Sequence, residues 1–205
     1  MITIHGMADS GNCYKPRLLM ALLGRPFRHA EVSWRDGGTA SKAFRQKTPI
    51  GKIPLLETGD GRFLPESNAI LCHLGEGTRF VPDDAFERAR MLAWMFFEQY
   101  SHEPNVAVRR SLLCYPEMAD VATPERLAST LRGGNSALEV MEERLAGHDW
   151  LVGDAPSLAD IALYAYTHVA DEGGFDLAAF AGIRGWLARV TALDGYRPRD
   201  WLPGA

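Results

Sequence analysis

The chain has 205 residues, 46% of them hydrophobic and 23% charged, with a net charge of −4. That length builds one large domain or two small ones with real cores, and the acidic balance with scattered basic residues excludes a nucleic-acid or acidic-membrane partner. Residues 1–10 lack the positive region and apolar core of a signal peptide, the apolar run Ala93 to Phe97 is too short to span a bilayer, and the odd, widely spaced Cys13, Cys72 and Cys114 suit free thiols in a reducing, cytoplasmic setting.

Ile2 to His5 alternates and is β-branched, the pattern of a short strand. Gly6 to Gly11 is a loop, and Cys13 to Leu23 is a helix with a broad leucine face, stopped by Gly24. Pro26 to Val32 is a second strand, broken by Asp36-Gly37-Gly38, and Ser41 to Lys47 is a short polar helix. Strand, helix, strand implies parallel pairing. Leu55 and Leu56 begin a third strand with Pro54 at its entrance, a place for a proline at an edge, at a first residue or in a cis turn. Thr58-Gly59-Asp60-Gly61 turns the chain into a hairpin that returns through Arg62 to Leu64. A helix then runs from Glu66, just after Pro65, to about Gly75 or Gly77. The order is βαβαββα over residues 1–77, with 78–85 as a linker.

Residues 86–205 show no convincing strand. Met91, Leu92, Met95 and Phe96 recur at helical spacing, with Trp94 and Phe97 widening the stripe. Pro104 is expected to kink this helix or end its first half. Val106 to Cys114 continues the period, and Pro116 and Pro124 bracket a loop. From Pro124 or Glu125 a helix runs to about Leu145, weakened at Gly133-Gly134 by about 1 kcal/mol per glycine relative to alanine. Ser157 with Asp160 three residues on is a capping box opening a helix to about Val169. Ile183 to Leu193 is a last amphipathic helix. No Cys/His spacing resembles a zinc site; His102-Glu103 lacks the second histidine such a helix needs.

The stretch Pro65 to Leu71 carries the sharpest chemistry. Taken alone, Ser67 is a helix cap. A ligand with a free carboxylate also finds N–H donors, a hydroxyl and a favourable dipole there, and a free ammonium finds Glu66. The pair therefore suits the α-amino-acid end of a small molecule.

Three stretches in order, Thr48-Pro49-Ile50-Gly51-Lys52-Ile53-Pro54, Pro65-Glu66-Ser67-Asn68-Ala69-Ile70-Leu71 and Ser157-Leu158-Ala159-Asp160-Ile161, resemble the soluble glutathione transferases across nearly the whole chain. The resemblance implies an α/β thioredoxin-like N-terminal domain, an all-α C-terminal helical bundle and, usually, a homodimer. It implies glutathione as co-substrate and no metal. Pro54 would be cis, turning the Ile53 backbone towards the cysteinyl backbone of glutathione. Glu66 and Ser67 would take the γ-glutamyl ammonium and carboxylate. Lys52, and more weakly Lys42, would contact the rest of the tripeptide, whose two carboxylates suit a lysine rim.

Glutathione chemistry needs a thiolate from a thiol with a pKa near 8.5. In the family the activating donor lies after strand one or at the start of helix one, here Ser10-Gly11-Asn12-Cys13-Tyr14-Lys15. Ser10 with Asn12 is the preferred reading, because Ser-x-Asn-x-x-Lys resembles bacterial transferases with a Thr-Pro-Asn start and places Ser10 where zeta-type isomerases carry serine. Cys13 is a second reading, since a helix N-terminus lowers a thiol pKa, although the beta-type cysteine falls at Asn12. Tyr14 ranks last, because the family's catalytic tyrosine lies nearer strand one. The electrophile is expected between the domains against Phe97, Tyr100, Glu103 and Val106. The implied activity is conjugation, with glutathione-dependent disulfide reduction, zeta-type isomerisation and a non-catalytic binding module as alternatives.

Overall fold

The computed structural model describes residues 1–204. Two units emerge, one of residues 1–76 joined by the C-terminal segment from Leu193 on, the other of residues 77–192. The sequence reading keeps residues 86–205 together. Instead the final segment returns to the first unit, where Tyr14 donates its hydroxyl to the Arg197 carbonyl at 2.6 Å and the Phe27 and Trp201 rings meet edge to face at 6.0 Å.

The first unit is a mixed four-stranded sheet flanked by helices. Its elements are β1 (Thr3–Gly6), α1 (Gly11–Leu22), β2 (Arg28–Glu31), α2 (Lys42–Lys47), β3 (Leu55–Glu57), β4 (Phe63–Pro65) and α3 (Ser67–Gly75). The strand order is β2-β1-β3-β4, with β1 parallel to β2 and antiparallel to β3, and β3 antiparallel to β4. This is the thioredoxin-like βαβαββα arrangement expected from the sequence. The core joins Ile4, Leu55 and Leu56 of the sheet to Leu18 and Leu19 of α1 and Ile70 and Leu71 of α3, each burial contributing roughly 1.5–3 kcal/mol. Helix α1 starts two residues earlier than its leucine stripe suggests, because Ser10 caps it by accepting the Cys13 N–H at 3.4 Å.

The second unit is helical: α4 (Ala85–Phe97), α5 (Val108–Cys114), α6 (Pro124–Leu145), α7 (Leu158–Thr167) and α8 (Ala181–Thr191). Pro104 does not end a helix. It lies inside a π-helical stretch, Glu98–Ala107, which links α4 to α5 and whose wider turn accommodates the missing N–H. The capping box at Ser157 and Asp160 forms as expected. The glycine pair in α6 has a packing reason: a Cβ on Gly134 would lie 2.3 Å from Phe175 Cζ. No described helix is long and apolar enough to cross a membrane.

Candidate functional site

The ends of three elements meet in the first unit, and strand register explains why. His5 lies opposite Leu55, and Leu55 lies opposite Pro65. The chain just past β1, the turn before β3 and the corner after β4 are therefore brought side by side. The turn contains a cis peptide between Ile53 and Pro54, one of the three roles the sequence allows for that proline. Gly6 permits close approach at this point, since a Cβ there would sit 2.4 Å from Cys13 Sγ.

Helix α3 begins at Ser67, not with Ser67 as its cap. Glu66 occupies the cap position with φ 72° and ψ 113°, the one described non-glycine residue with positive φ. Such a conformation costs on the order of 1–3 kcal/mol and persists where the surroundings impose it. It leaves the Glu66 side chain exposed while Ser67 is buried at the first turn. The Ser67 hydroxyl donates to Asn12 Oδ1 at 3.4 Å and accepts from Lys15 Nζ at 3.2 Å. Lys15 also donates to Asn68 Oδ1 at 3.5 Å. The N-terminal turns of α1 and α3 thus share one polar cluster, and both helix dipoles present their positive ends there.

Ser10 is half-buried at the α1 cap, two residues before Asn12. As a cap its oxygen accepts the Cys13 N–H, and its hydroxyl can also donate, with the Cys13 sulfur one acceptor within reach. Cys13 lies behind it, 0% exposed. Burial pushes its thiol up to about 11, against hydrogen bonds from Ser10 and the Met7 backbone that pull the other way. The sequence expectation of a lowered thiol pKa is corrected here: desolvation outweighs the helix terminus. Lys52 and Lys42 are exposed, Ile53 is half-buried and Pro54 is buried.

Two residues to which the sequence reading assigned no role belong to this region, Lys15 being named there only as the end of the Ser-x-Asn-x-x-Lys spacing. Lys15 is 0% exposed and lies on the apolar stripe of α1 with Leu18, Leu19 and Leu22; a lysine at that phase was the available signal. Arg17, 1% exposed, donates from Nη2 to the Ala8 carbonyl at 2.5 Å and to the Arg199 carbonyl at 3.0 Å. It ties the loop that bears Ser10 to the C-terminal segment.

The helical unit distributes its four candidates unevenly. Val106 is 1% exposed and packs in that unit's core, which removes it as a pocket wall. Phe97 is half-buried, meets Trp94 edge to face at 5.3 Å, and lines a hollow of about 290 Å³ with Arg90, Ala93 and Val140. Tyr100 is 88% exposed and Glu103 is half-buried. Among the described residues no group of three or more His, Cys, Asp or Glu is arranged to hold a metal.

Comparison with known proteins follows the same division. Residues 9–76 match the family model for the glutathione S-transferase N-terminal domain, and residues 93–194 the model for its C-terminal domain. A crystal structure of a glutathione S-transferase from Pseudomonas fluorescens is 46% identical, with a TM-score of 0.93 over 97% of this chain and 98% of that one. Rat glutathione S-transferase theta-1 is 32% identical over 83% of this chain and 74% of its own length. The disulfide-bond oxidoreductase YfcG of Escherichia coli is 27% identical over 90% of this chain and 88% of its own.

Proposed function

This chain belongs to the glutathione S-transferase family, and we propose that it binds glutathione, stabilises its thiolate and directs it at a small electrophilic or disulfide co-substrate. Glu66 takes the γ-glutamyl ammonium. Ser67 and the first-turn N–H groups of α3 take the adjoining carboxylate. The Ile53 backbone, turned outward at Pro54, pairs with the cysteinyl backbone, and exposed Lys52 and Lys42 face the glycyl carboxylate. Ser10 with Asn12 donates to sulfur, which favours the anion of a thiol that otherwise ionises near pH 8.5.

One observation carries this reading. Asn12 is in hydrogen-bond contact with Ser67 at 3.4 Å, so the loop assigned to sulfur and the grip assigned to the amino-acid end lie within a single tripeptide's reach. Cys13, buried and with its thiol raised, takes packing as its role. Of the residues read as co-substrate contacts, Phe97, Tyr100 and Glu103 keep that assignment. The test is retention on immobilised glutathione with elution by the free tripeptide. Ser67→Ala is expected to weaken retention greatly, and a wild-type protein that ignores millimolar glutathione refutes the proposal.

Likeness to a disulfide-bond oxidoreductase supports a second reading, in which two glutathiones in turn reduce a disulfide co-substrate. Comparing turnover of a small disulfide with conjugation of an activated aryl halide separates the two. As partner we take a second copy of the chain. Phe86, Ala89, Ala93 and Phe96 follow the i, i+3, i+7, i+10 spacing of a helix–helix seam and are all exposed on α4.

A further inference from the structure

Lysine is rarely sealed from water, because stripping an ammonium of its hydration costs several kcal/mol unless polar groups replace it. The chain has four lysines, and of these Lys15 is the buried one, at 0% exposure; Lys42 and Lys52 are exposed and Lys47 is half-buried. Lys15 shares the face of α1 that carries Leu18, Leu19 and Leu22, and its ammonium is held at the start of α3, 3.2 Å from Ser67 Oγ and 3.5 Å from Asn68 Oδ1.

An ammonium has three donors and no acceptor. Its contact with Ser67 therefore commits the serine oxygen to accepting, and the serine hydrogen must point elsewhere. In this structure that hydrogen goes to Asn12 Oδ1 across a long 3.4 Å contact, a weak bond that a carboxylate can displace. A cation donating into a hydroxyl also polarises its O–H and strengthens the next bond in the chain. The result is a relay: Lys15 orients Ser67, Ser67 donates, and a positive charge stands one hydrogen bond behind the donor.

We propose that Lys15 is the positioning residue that makes the Ser67 subsite selective for the α-carboxylate of the γ-glutamyl group. The inference rests on the glutathione reading and deepens it. It separates the two charges of that amino-acid end: Glu66 answers for the ammonium, and Ser67 backed by Lys15 answers for the carboxylate.

The experiment is calorimetric binding of three tripeptides to wild type, Lys15→Gln and Lys15→Arg. Glutathione carries both charges, glutaryl-Cys-Gly keeps the carboxylate and lacks the ammonium, and 4-aminobutyryl-Cys-Gly keeps the ammonium and lacks the carboxylate. Lys15→Gln is expected to weaken glutathione and glutaryl-Cys-Gly each by about tenfold or more and to leave 4-aminobutyryl-Cys-Gly unchanged, with Lys15→Arg restoring part of the loss. A residue that merely shapes the site lowers all three affinities together, and that result overturns the inference while leaving the glutathione reading standing. Unchanged affinities for all three do the same. If no tripeptide binds wild type, the glutathione reading itself fails.

Should the variants not fold, the same question goes to the unaltered protein. The solvent-protected 15Nζ lysine resonance must shift with glutathione and glutaryl-Cys-Gly and stay in place with 4-aminobutyryl-Cys-Gly. Equal shifts with all three overturn the inference.

Discussion

Ser10 and Cys13 are three residues apart and both sit at the start of one helix, yet their surroundings divide their chemistry. Ser10 is half-buried and has a hydrogen to donate, whereas Cys13 is sealed behind it with its thiol raised to about 11. Ser10→Ala is accordingly expected to lower glutathione-dependent turnover by at least tenfold, the scale of one lost charge-assisted bond. Cys13→Ser should do much less, and steady-state kinetics that reversed the order would return the mechanism to cysteine. The same burial has a signature in stability. Above its usual value near 9 a cysteine in the unfolded chain loses its proton, while the folded chain holds it up to about 11. The folded state then binds more protons, so stability is fully present below pH 9 and falls as pH rises through that window. Urea melts across this range should show the decline, and Cys13→Ala should flatten it. Iodoacetamide at neutral pH should label exposed Cys114 well before Cys13.

Elements impose a different kind of constraint. The Asp160 carboxylate accepts from Ser157 N at 2.8 Å, Ser157 Oγ at 2.9 Å, Leu151 N at 3.1 Å and Trp186 Nε1 at 2.9 Å. Burial pushes its carboxyl pKa up, and these four donors pull it back. It fastens the start of α7, the loop at Leu151 and α8 through a single side chain. Asp160→Ala strands several buried donors, and a loss of about 3 kcal/mol or more in urea unfolding is expected. A loss under 1 kcal/mol would mean that water reaches those donors. The π-helical stretch Glu98–Ala107 is the element that local pattern could not announce. Proline argues for a break there, and the chain answers with a wider turn that keeps the run from α4 to α5 helical.

Across the molecule, the two units differ in how far sequence order predicts membership. Residues 77–192 form one continuous helical unit, whereas the first unit is completed by the segment from Leu193 on, held by Tyr14, Arg17 and Phe27. Phe86 and Phe96 are 72% and 70% exposed, an arrangement a protein keeps for a partner. Sedimentation should find a dimer at micromolar concentration, and Phe96→Glu should shift it to monomer. A monomeric wild type rules out the second copy as partner.

What the residues determined by themselves was order and type. Period-2 and period-3.6 patterning, the Asp60-Gly61 turn, the glycine stops and the Ser157–Asp160 box are local signals, and they located βαβαββα and the helical half. Local chemistry likewise pointed to Glu66 and Ser67, because a helix start has an intrinsic field. Only the tertiary structure decided which side chains meet. Register in β1, β3 and β4 brought Ile53–Pro54 beside Glu66, and the crossing of α1 with α3 set Lys15 and Asn12 against Ser67. Burial, which no window of sequence reports, then separated Ser10 from Cys13 and removed Val106 from the site. Solvation depends on neighbours distant in the chain, and it is solvation that decides whether a polar side chain binds a ligand, supports another or simply packs.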